Sequence, residues 1–177
     1  MNHRPLPESI LRRETRMEVL KMRKRIVGHA PTTPASTEEW LDLEKIASVE
    51  VTSEDNALPI EAALSLKDTQ GWRAAEPGVQ TIRLIFDQPQ SIKQISLLFV
   101  EKEAQRTQEF TLRSSSDRGK PFQEIVRQQW NFSPPAATRE TENYSVDLSR
   151  VTMLELTIDP DREHRTAKAS LSSLRVA

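Results

Sequence analysis

QTIRLIFDQPQSIKQISLLF, residues 80–99, is the stretch that decides the fold. On both sides of Pro89 its apolar residues recur at every second position. They are Ile82, Leu84 and Phe86 before the proline, and Ile95, Leu97 and Phe99 after it. A period of two is that of a β-strand with one buried and one solvated face, and Pro cannot donate the hydrogen bond that the middle of a strand requires. The stretch therefore predicts two amphipathic strands that are separated at Pro89.

The same pattern continues outward from this stretch. Six further segments share its alternation or its apolar character, and they are residues 47–52, 110–112, 124–130, 144–148, 154–158 and 174–176. Gly and Pro residues such as Gly71, Gly78 and Pro160 punctuate them, which is typical of short strands joined by turns. Residues 59–64, PIEAAL, indicate a short helical turn between the first strand and Trp72, and Ser36 with Glu39 fits a capping box that opens a short helical stretch through Leu43. About eight short strands predict an all-β fold, a β-sandwich of the jelly-roll kind.

The first 30 residues differ from the rest in charge and in periodicity. They carry eight Lys and Arg against three Glu, a net charge of +5, which leaves −6 for residues 31–177. Residues 8–27 contain no Gly or Pro and many strong helix formers, so they predict a basic α-helix. Residues 31–37 combine Pro, Ser, Thr and Ala without periodicity, as linkers do. The sequence therefore predicts an N-terminal helix in residues 1–30, a linker in residues 31–37 and a β-sandwich in residues 38–177.

The basic helix favours a protein partner over a nucleic acid. Its apolar residues form a loose stripe, which is typical of a helix that docks on a partner protein or on a second copy of the chain. Glu14 and Glu18 interrupt its positive charge and no aromatic residues lie among the basic ones, so we expect no nucleic-acid binding. No apolar run approaches the ~20 residues of a membrane span, and the N-terminus lacks the apolar region of a signal peptide. The default expectation is a cytoplasmic protein.

The composition argues against several kinds of catalysis. The chain has no Cys, and its three histidines, His3, His29 and His164, are far apart in sequence. Thiolate zinc sites, disulfides and cysteine nucleophiles are therefore excluded. The chain has only four Gly, and it lacks the HExxH, GxSxG and glycine-rich phosphate-loop motifs. We expect no enzymatic activity, no catalytic residues and no cofactor.

From Ile46 to the end of the chain, the order of motifs resembles the discoidin, or coagulation-factor C-type, domain of the galactose-binding-like superfamily. The matching motifs are, in order, SVEVTSED at 48–55, PIEAAL at 59–64, GW at 71–72, the strands around Pro89, RTQEFTLRSSSDRGKPFQEI at 106–125, LELTIDPD at 154–161 and ASLSSLRV at 169–176. The resemblance implies a non-catalytic binding module. Such domains hold glycans, phospholipid headgroups or protein partners in loops at one end of the sandwich.

The resemblance also bears on metal binding. Some relatives hold a structural calcium ion near the first loop, with an acidic residue in the last strand. Here Asp55 is available in the loop, but the last strand reads SSLR at residues 172–175 and offers no carboxylate. We therefore expect no metal site.

A glycan site needs a flat aromatic side chain for the C–H face of a sugar and planar polar groups for its hydroxyls. Trp72 matches the Trp that packs at the end of the family's sandwich, so we expect it in the core and regard its neighbour Arg73 as the ligand candidate. Arg106 stands at a predicted loop-to-strand junction, where a guanidinium can clamp a carboxylate or phosphate. An ion pair with a nearby glutamate, Glu101, Glu103 or Glu109, is the favoured alternative for Arg106.

RQQWNFSPP, residues 127–135, is the most unusual segment of the chain. It combines two aromatic side chains, three amides and a stiff Pro-Pro pair in a predicted loop much longer than a hairpin needs. We take Trp130, Asn131 and Phe132 as candidate ligand-binding residues, together with Arg139 beyond the prolines. The alternative is that Trp130 and Phe132 plug one end of the sandwich.

Two hypotheses about function result. The first is a bacterial-type, cytoplasmic, discoidin-like module that binds a carbohydrate or similar polar ligand near Arg73, Arg106 and residues 130–139. The second is a protein–protein interaction adaptor that uses residues 8–27 and a sheet face. A sugar site requires a solvent-facing aromatic side chain beside polar groups at one end of the sandwich, whereas an adaptor requires an exposed apolar patch.

Overall fold

The computed structural model describes residues 39–68, 70–117 and 121–177. The helix predicted in residues 1–30 and the linker predicted in residues 31–37 lie outside these residues. The described residues form eight strands, namely β1 (Ala47–Val51), β2 (Trp72–Pro77), β3 (Gln80–Val100), β4 (Arg106–Ser115), β5 (Gln123–Phe132), β6 (Arg139–Asp159), β7 (Lys168–Leu171) and β8 (Ser173–Val176). They also form the two short helices α1 (Leu43–Ile46) and α2 (Ile60–Leu64). The predicted all-β fold is confirmed.

The long strands β3 and β6 organise the sandwich. They pair antiparallel along their length, from Gln80 opposite Ile158 to Val100 opposite Arg139, with register shifts between Ile85 and Gln94. The first half of β3 lies between β1 and the second half of β6. The second half of β6 also pairs with β4, and β4 pairs with β5 at the edge of this layer. The second half of β3 lies between the first half of β6 and β8. The two long strands therefore contribute to a five-stranded layer and to a three-stranded layer.

The core fills the space between these layers. The apolar positions of the alternating stretch are buried, and Ile82, Ile95 and Leu97 are each no more than 1% exposed. The ring of Phe99 in the three-stranded layer stacks on that of Phe110 in the five-stranded layer, with 5.1 Å between centroids. Full burial of one such side chain contributes about 1.5–3 kcal/mol. The two-residue period that predicted the strands is therefore also what holds the layers together.

The strand boundaries differ from those predicted. The sequence suggested a break at Pro89 and separate strands at 144–148 and 154–158, but β3 and β6 each continue through these points. Pro89 lies inside a register shift, where the ladder is interrupted and its missing amide hydrogen costs no sheet hydrogen bond. The number of strands still agrees, because β2 and β7 form a separate two-stranded sheet that the alternation did not predict.

Candidate functional site

An open cleft of about 530 Å³ lies at the end of the sandwich where β3 ends and β4 and β6 begin. The two-stranded sheet of β2 and β7 forms another of its walls. Its lining is mostly polar and charged around a few apolar side chains, and comprises Leu58, Gln70, Trp72, Arg73, Leu98, Val100, Glu101, Lys102, Glu103, Arg106, Arg139, Lys168, Ser170, Leu171 and Ser172. A concave site with several convergent polar groups is the usual form of a small-ligand site.

The wall that carries Arg73 depends on Gly71. Gly71 has a φ of +78°, and a Cβ at this position would lie 2.7 Å from the carbonyl oxygen of Leu171. Only glycine fits this left-handed conformation at such close approach. The two residues that follow pair with β7, Trp72 opposite Leu171 and Arg73 opposite Ser170. Strand alternation then buries Trp72 in the core and leaves Arg73 exposed in the cleft.

Arg106 is the buried cation of the cleft. It begins β4 and is only 7% exposed. Its Nε lies 2.9 Å from Oε2 of Glu101, and its Nη1 donates to the backbone carbonyl of Lys168 at 3.2 Å. The guanidinium carbon also lies 5.9 Å from the ring centroid of Phe132, which adds a cation–π contact. Arg106 therefore joins β4 to the β3–β4 turn, to β7 and to the end of β5.

Burial lowers the pKa of Arg106 from its ordinary value. The negative charges of Glu101 and Asp161 act in the opposite direction, and the positive charge of Arg73 lowers the pKa further. A guanidinium starts from so high a pKa that Arg106 stays charged at neutral pH. The floor of the cleft thus holds a permanently charged guanidinium whose charge is balanced by the carboxylate of Glu101.

Glu101 organises the turn between β3 and β4. Its Oε1 accepts the backbone N–H groups of Glu103 at 2.8 Å and Ala104 at 3.1 Å, while its Oε2 pairs with Arg106. Its own backbone N–H donates to the carbonyl of Thr138 at 2.8 Å, which ties the turn to the chain entering β6. Both carboxylate oxygens are occupied, so Glu101 acts as a structural anion and is poorly placed to be a general base.

Positive charge is in excess in the cleft. Five of the lining side chains are basic and two are acidic, although residues 31–177 as a whole carry a net charge of −6. Four of these basic side chains are exposed, those of Arg73, Lys102, Arg139 and Lys168. Within the described residues none of the four forms an ion pair. The cleft is therefore an anion-attracting region in a domain whose net charge is negative.

The structure brings three of the six predicted site residues together. Arg73, Arg106 and Arg139 all line the cleft although they are far apart in sequence. Arg106 also forms the ion pair with Glu101 that the sequence favoured for it. The predicted core position of Trp72 is confirmed, because its side chain is 1% exposed.

The other three predicted site residues lie on β5, which confirms the strand predicted at residues 124–130 and extends it to Phe132. The expectation that residues 127–135 form a loop is therefore wrong as far as Phe132. β5 continues to Phe132 and pairs with β4 residue by residue, with Trp130 opposite Gln108, and only residues 133–138 connect it to β6. The apolar residues at alternate positions, Val126, Trp130 and Phe132, favour a strand more strongly than the following prolines favour a loop.

Alternation along β5 determines what these side chains face. Phe132 is 1% exposed and belongs to the core, and Trp130 packs half-buried against the core with its indole N–H buried and unpartnered within the described residues. Asn131 is exposed and accepts a hydrogen bond from the Thr107 hydroxyl at 2.9 Å. None of the three lines the cleft. Phe132 reaches it only indirectly, through its contact with Arg106.

Sequence reasoning missed the basic residues Lys102 and Lys168 and the polar residues Gln70, Ser170 and Ser172. Lys168 and Ser170 lie on β7, which pairs with β2 in a small sheet that the alternation did not reveal. Lys102 lies in the β3–β4 turn, where an exposed Lys looks the same in sequence whether or not it faces a cleft. The sequence signal that could have pointed to this turn was the clustering of Glu101, Glu103 and Arg106 around Lys102.

The features required by the two functional hypotheses are only partly present. The one aromatic residue among the described lining residues is Trp72, which is buried and offers no face for stacking. The described residues have two large exposed apolar side chains, Leu66 and Val79, each about half exposed, which is too little apolar surface for the docking patch that the adaptor hypothesis requires. Residues 39–68, 70–117 and 121–177 contain no cluster of three metal-ligating side chains, and none of their helices has the length and apolar character needed to cross a membrane.

Comparison with solved structures identifies proteins of the same architecture. No family model and no curated protein sequence matches the chain. The fold is similar to that of a family 32 carbohydrate-binding module of C. perfringens NanJ solved with galactose, with a TM-score of 0.58 and 10% identity over 77% of this chain and 96% of that one. It is also similar to the family 32 module of AlyQ solved with 4,5-unsaturated mannuronic acid, with a TM-score of 0.57 and 17% identity over 79% and 98%.

A third similar structure is a Clostridium perfringens family 32 module in complex with GalNAc-β-1,3-galactose. Its TM-score is 0.57 and its identity 19%, over 78% of this chain and 99% of that one. Sequence identities this low establish the fold alone. The described part of the chain therefore has the β-sandwich fold of these three modules, and function has to be argued from the site.

Proposed function

We propose that this chain is a non-catalytic carbohydrate-binding module that takes its ligand in the cleft lined by Arg73, Arg106 and Arg139. The observation that carries the proposal is this polar cleft of about 530 Å³ at one end of a sandwich. Three sugar-binding modules of the same architecture, solved with galactose, an unsaturated mannuronic acid and GalNAc-β-1,3-galactose, support it. The order of motifs in residues 46–177 further supports a relationship to the discoidin domains.

The chemistry of the cleft suits hydroxyl recognition. Arg73 and Arg139 present planar donors, Gln70 presents an amide, and Ser170 and Ser172 present hydroxyls that donate and accept. Sugar hydroxyls both donate and accept, so a mixed set of this kind can fix their orientation. Pairing of β2 with β7 places Arg73 opposite Ser170 before a ligand arrives, which lowers the entropic cost of binding.

The acidic residues of the cleft support binding without catalysis. Hydrolysis of a glycosidic bond needs two available carboxyl groups on opposite sides of that bond. The two acidic lining residues are Glu101 and Glu103, and both oxygens of Glu101 are occupied by Arg106 and by turn amides. The cleft is therefore suited to hold a sugar and lacks a second carboxylate free to act on it.

A glycan array followed by calorimetric titration tests the proposal. The full chain should bind one or more oligosaccharides, and Arg73→Ala or Arg139→Ala should weaken that binding at least about tenfold, the equivalent of 1.4 kcal/mol. Arg127→Ala is the matched control, because Arg127 is an exposed arginine on β5 that pairs with Glu109 and Glu124 away from the cleft. Binding that survives both cleft substitutions but is lost in Trp130→Ala would place the site on β5 instead.

A further inference from the structure

The cleft contains more positive charge than the binding of a neutral sugar requires. A neutral sugar needs hydrogen-bond donors and acceptors, which serine, asparagine and glutamine side chains supply without net charge. Here five of the lining side chains are cationic, in a domain that is otherwise acidic. Like charges that face one another repel, and the repulsion between Arg73 and Arg106 contributes to the lowered pKa of Arg106. Such a cluster is unfavourable until an anion joins it.

The carboxylates of the cleft do not neutralise this excess. Glu101 is held by Arg106 and by the amides of Glu103 and Ala104, so its charge is engaged inside the turn. Elsewhere in the described residues, the exposed Arg83, Arg127 and Arg162 pair with carboxylates, whereas Arg150 and Arg165 are isolated exposed arginines that form no ion pair. The exposed cations of the cleft lack such partners within the described residues, so their charge remains available to a ligand.

The cleft also lacks the surface that neutral sugars use most. Stacking of a sugar's C–H face on an aromatic ring supplies apolar contact area, yet Trp72, the aromatic residue of the lining, is 1% exposed. With the ring buried, affinity has to come from polar and ionic contacts. Guanidinium groups bind carboxylates and other oxyanions through paired, charge-assisted hydrogen bonds, which are about twice as strong as neutral ones.

We infer that the cleft selects acidic carbohydrates, and that the exposed guanidinium groups of Arg73 and Arg139 bind the carboxylate or sulfate group of a charged sugar. The inference rests on the proposed function and names its substrate class. The charge of Arg106 is balanced by Glu101, so the excess positive charge of the cleft is that of its exposed side chains, and Arg106 serves to hold the β3–β4 turn beside them. Lys102 and Lys168 extend the positive surface along the walls, which favours a charged oligomer over a single charged sugar.

Paired ligands provide the sharpest test, because they change charge while leaving the sugar backbone unchanged. The full chain is titrated with uronic-acid oligosaccharides, galacturonide and mannuronide, and with their fully methyl-esterified forms. We expect the free acids to bind at least about tenfold more tightly than the esters. Affinity for the acids should fall as NaCl is raised from 20 to 300 mM, while the weaker affinity for the esters should change little. A sulfated galactan oligosaccharide, tested alongside its desulfated form, identifies whether the anion is a sulfate ester.

Variants connect this selectivity to the cleft. Arg73→Gln and Arg139→Gln keep a polar donor and remove one charge each, so they should reduce the acid-to-ester ratio by about threefold or more while ester binding is retained. Both positions are exposed, so the fold should tolerate the changes, which a thermal melt verifies. Arg127→Gln, which removes the same charge from β5, should leave the ratio unchanged.

Each alternative result has a distinct meaning. Failure to bind any sugar, acidic or neutral, would contradict the proposed function itself. Equal affinity for acids and esters would leave the sugar-binding function intact and overturn the selectivity. Equally tight binding of poly-glutamate would overturn the inference in favour of unspecific attraction of polyanions. Preference for the sulfated galactan over its desulfated form would support the inference and assign the anion.

Discussion

Arginines on the outer face of the five-stranded layer and arginines in the cleft are organised in opposite ways. Five charged residues cross that face in register, one from each strand, and alternate in sign, as Glu50, Arg83, Glu155, Arg113 and Glu124. We refer to these five residues as the charge row. Each cation of the row faces a carboxylate on both sides, whereas the cleft has more cations than carboxylates. The charges of the row pair across neighbouring strands, whereas the exposed cations of the cleft form no ion pair within the described residues.

The centre of the row offers the largest effect on stability. Glu155 is 1% exposed and is held by Nε of Arg83 at 2.7 Å on one side and by Arg113 on the other. Glu155→Gln should lower the free energy of unfolding by about 2–4 kcal/mol, because it leaves two cations facing each other across a buried position. Chemical denaturation measures the loss, and ligand binding by the folded fraction should be unchanged.

Glu50→Gln is the matched control at the edge of the same row. Its side chain is 60% exposed and lies 3.6 Å from Nη1 of Arg83, so the change should cost less than about 0.5 kcal/mol. Equal losses for the two variants would show that burial does not distinguish the row's centre from its edge. Loss of ligand binding in folded Glu155→Gln would show that row and cleft are not independent.

Glu140 should have the second largest effect on the free energy of unfolding, because it is a buried glutamate that lacks the ion-pair partners of Glu155. It is 2% exposed, neither carboxylate oxygen has a hydrogen-bond partner in the described part of the chain, and its pKa is raised to about 7 by burial and then by the charge of Glu142. Between its ordinary value of 4.5 and about 7, the folded chain therefore binds more protons than the unfolded one. The free energy of unfolding should fall as pH rises through this window and level off above it.

Glu140→Gln should remove this pH dependence. The variant should exceed the wild type in stability by on the order of 2 kcal/mol at pH 8 and by little at pH 4.5, since one pKa unit corresponds to 1.36 kcal/mol. Urea denaturation at a series of pH values makes the comparison. Glu142→Gln, which removes only the secondary cause, should reduce the slope partly. A wild-type stability that rises between pH 5 and 7 would contradict the assignment.

The strand pattern could be predicted from sequence because it depends on local alternation. Ile82, Leu84, Ile95 and Leu97 are core residues for the same reason that they are spaced by two. The small sheet of β2 and β7 escaped prediction because each strand is short and their pairing is non-local. Whether β3 breaks or continues at Pro89 is likewise decided by a partner strand rather than by the stretch itself.

The site could be predicted only where a single residue carried the signal. Arg73, Arg106 and Arg139 were each singled out in the sequence. That they share one cleft depends on the topology, because they lie at or next to the first residues of three different strands, β2, β4 and β6. Trp130 and Phe132 were overvalued because the prolines after them suggested a loop, whereas pairing with β4 places their side chains against the core. In sequence, a charged residue that lines the cleft looks the same as one on the open surface, because the two differ only in the residues that the fold places around them.

Arg175 is a third kind of arginine, and its effect on stability should be smaller. Its Nη1 donates to the carbonyls of Ala63 and Leu174 at 2.8 Å, and its Nη2 donates to that of Ser65 at 2.5 Å. Burial lowers the pKa of this guanidinium, whose donors are used to join β8 to the end of α2. Arg175→Met keeps the apolar stem and removes the donors, so it should cost about 1–2 kcal/mol in thermal or chemical denaturation.

Two controls accompany the Arg175 variant. Lys45→Gln removes an exposed cation that pairs with Asp42, and should leave the midpoint of denaturation unchanged. EDTA and added calcium should leave the wild-type melting temperature unchanged, because the last strand supplies a guanidinium where a metal site would need an oxygen ligand. A reproducible rise of the melting temperature with calcium would refute this expectation.

Removal of residues 1–35 should have the smallest effect on stability and affinity. The experiment distinguishes a contribution of the cleft from one of the other basic part of the chain. Residues 1–30 carry a net charge of +5 and could attract acidic ligands on their own, so a chain that starts at residue 36 tests where affinity originates. The predicted linker at residues 31–37 leads us to expect a cooperative melt, with stability within about 0.5 kcal/mol of the full chain. Affinity for an acidic oligosaccharide should change by less than about threefold, because the cations that we propose to bind it line the cleft. Loss of most of the affinity would assign recognition to the N-terminal segment, and loss of the cooperative melt would make that segment part of the core.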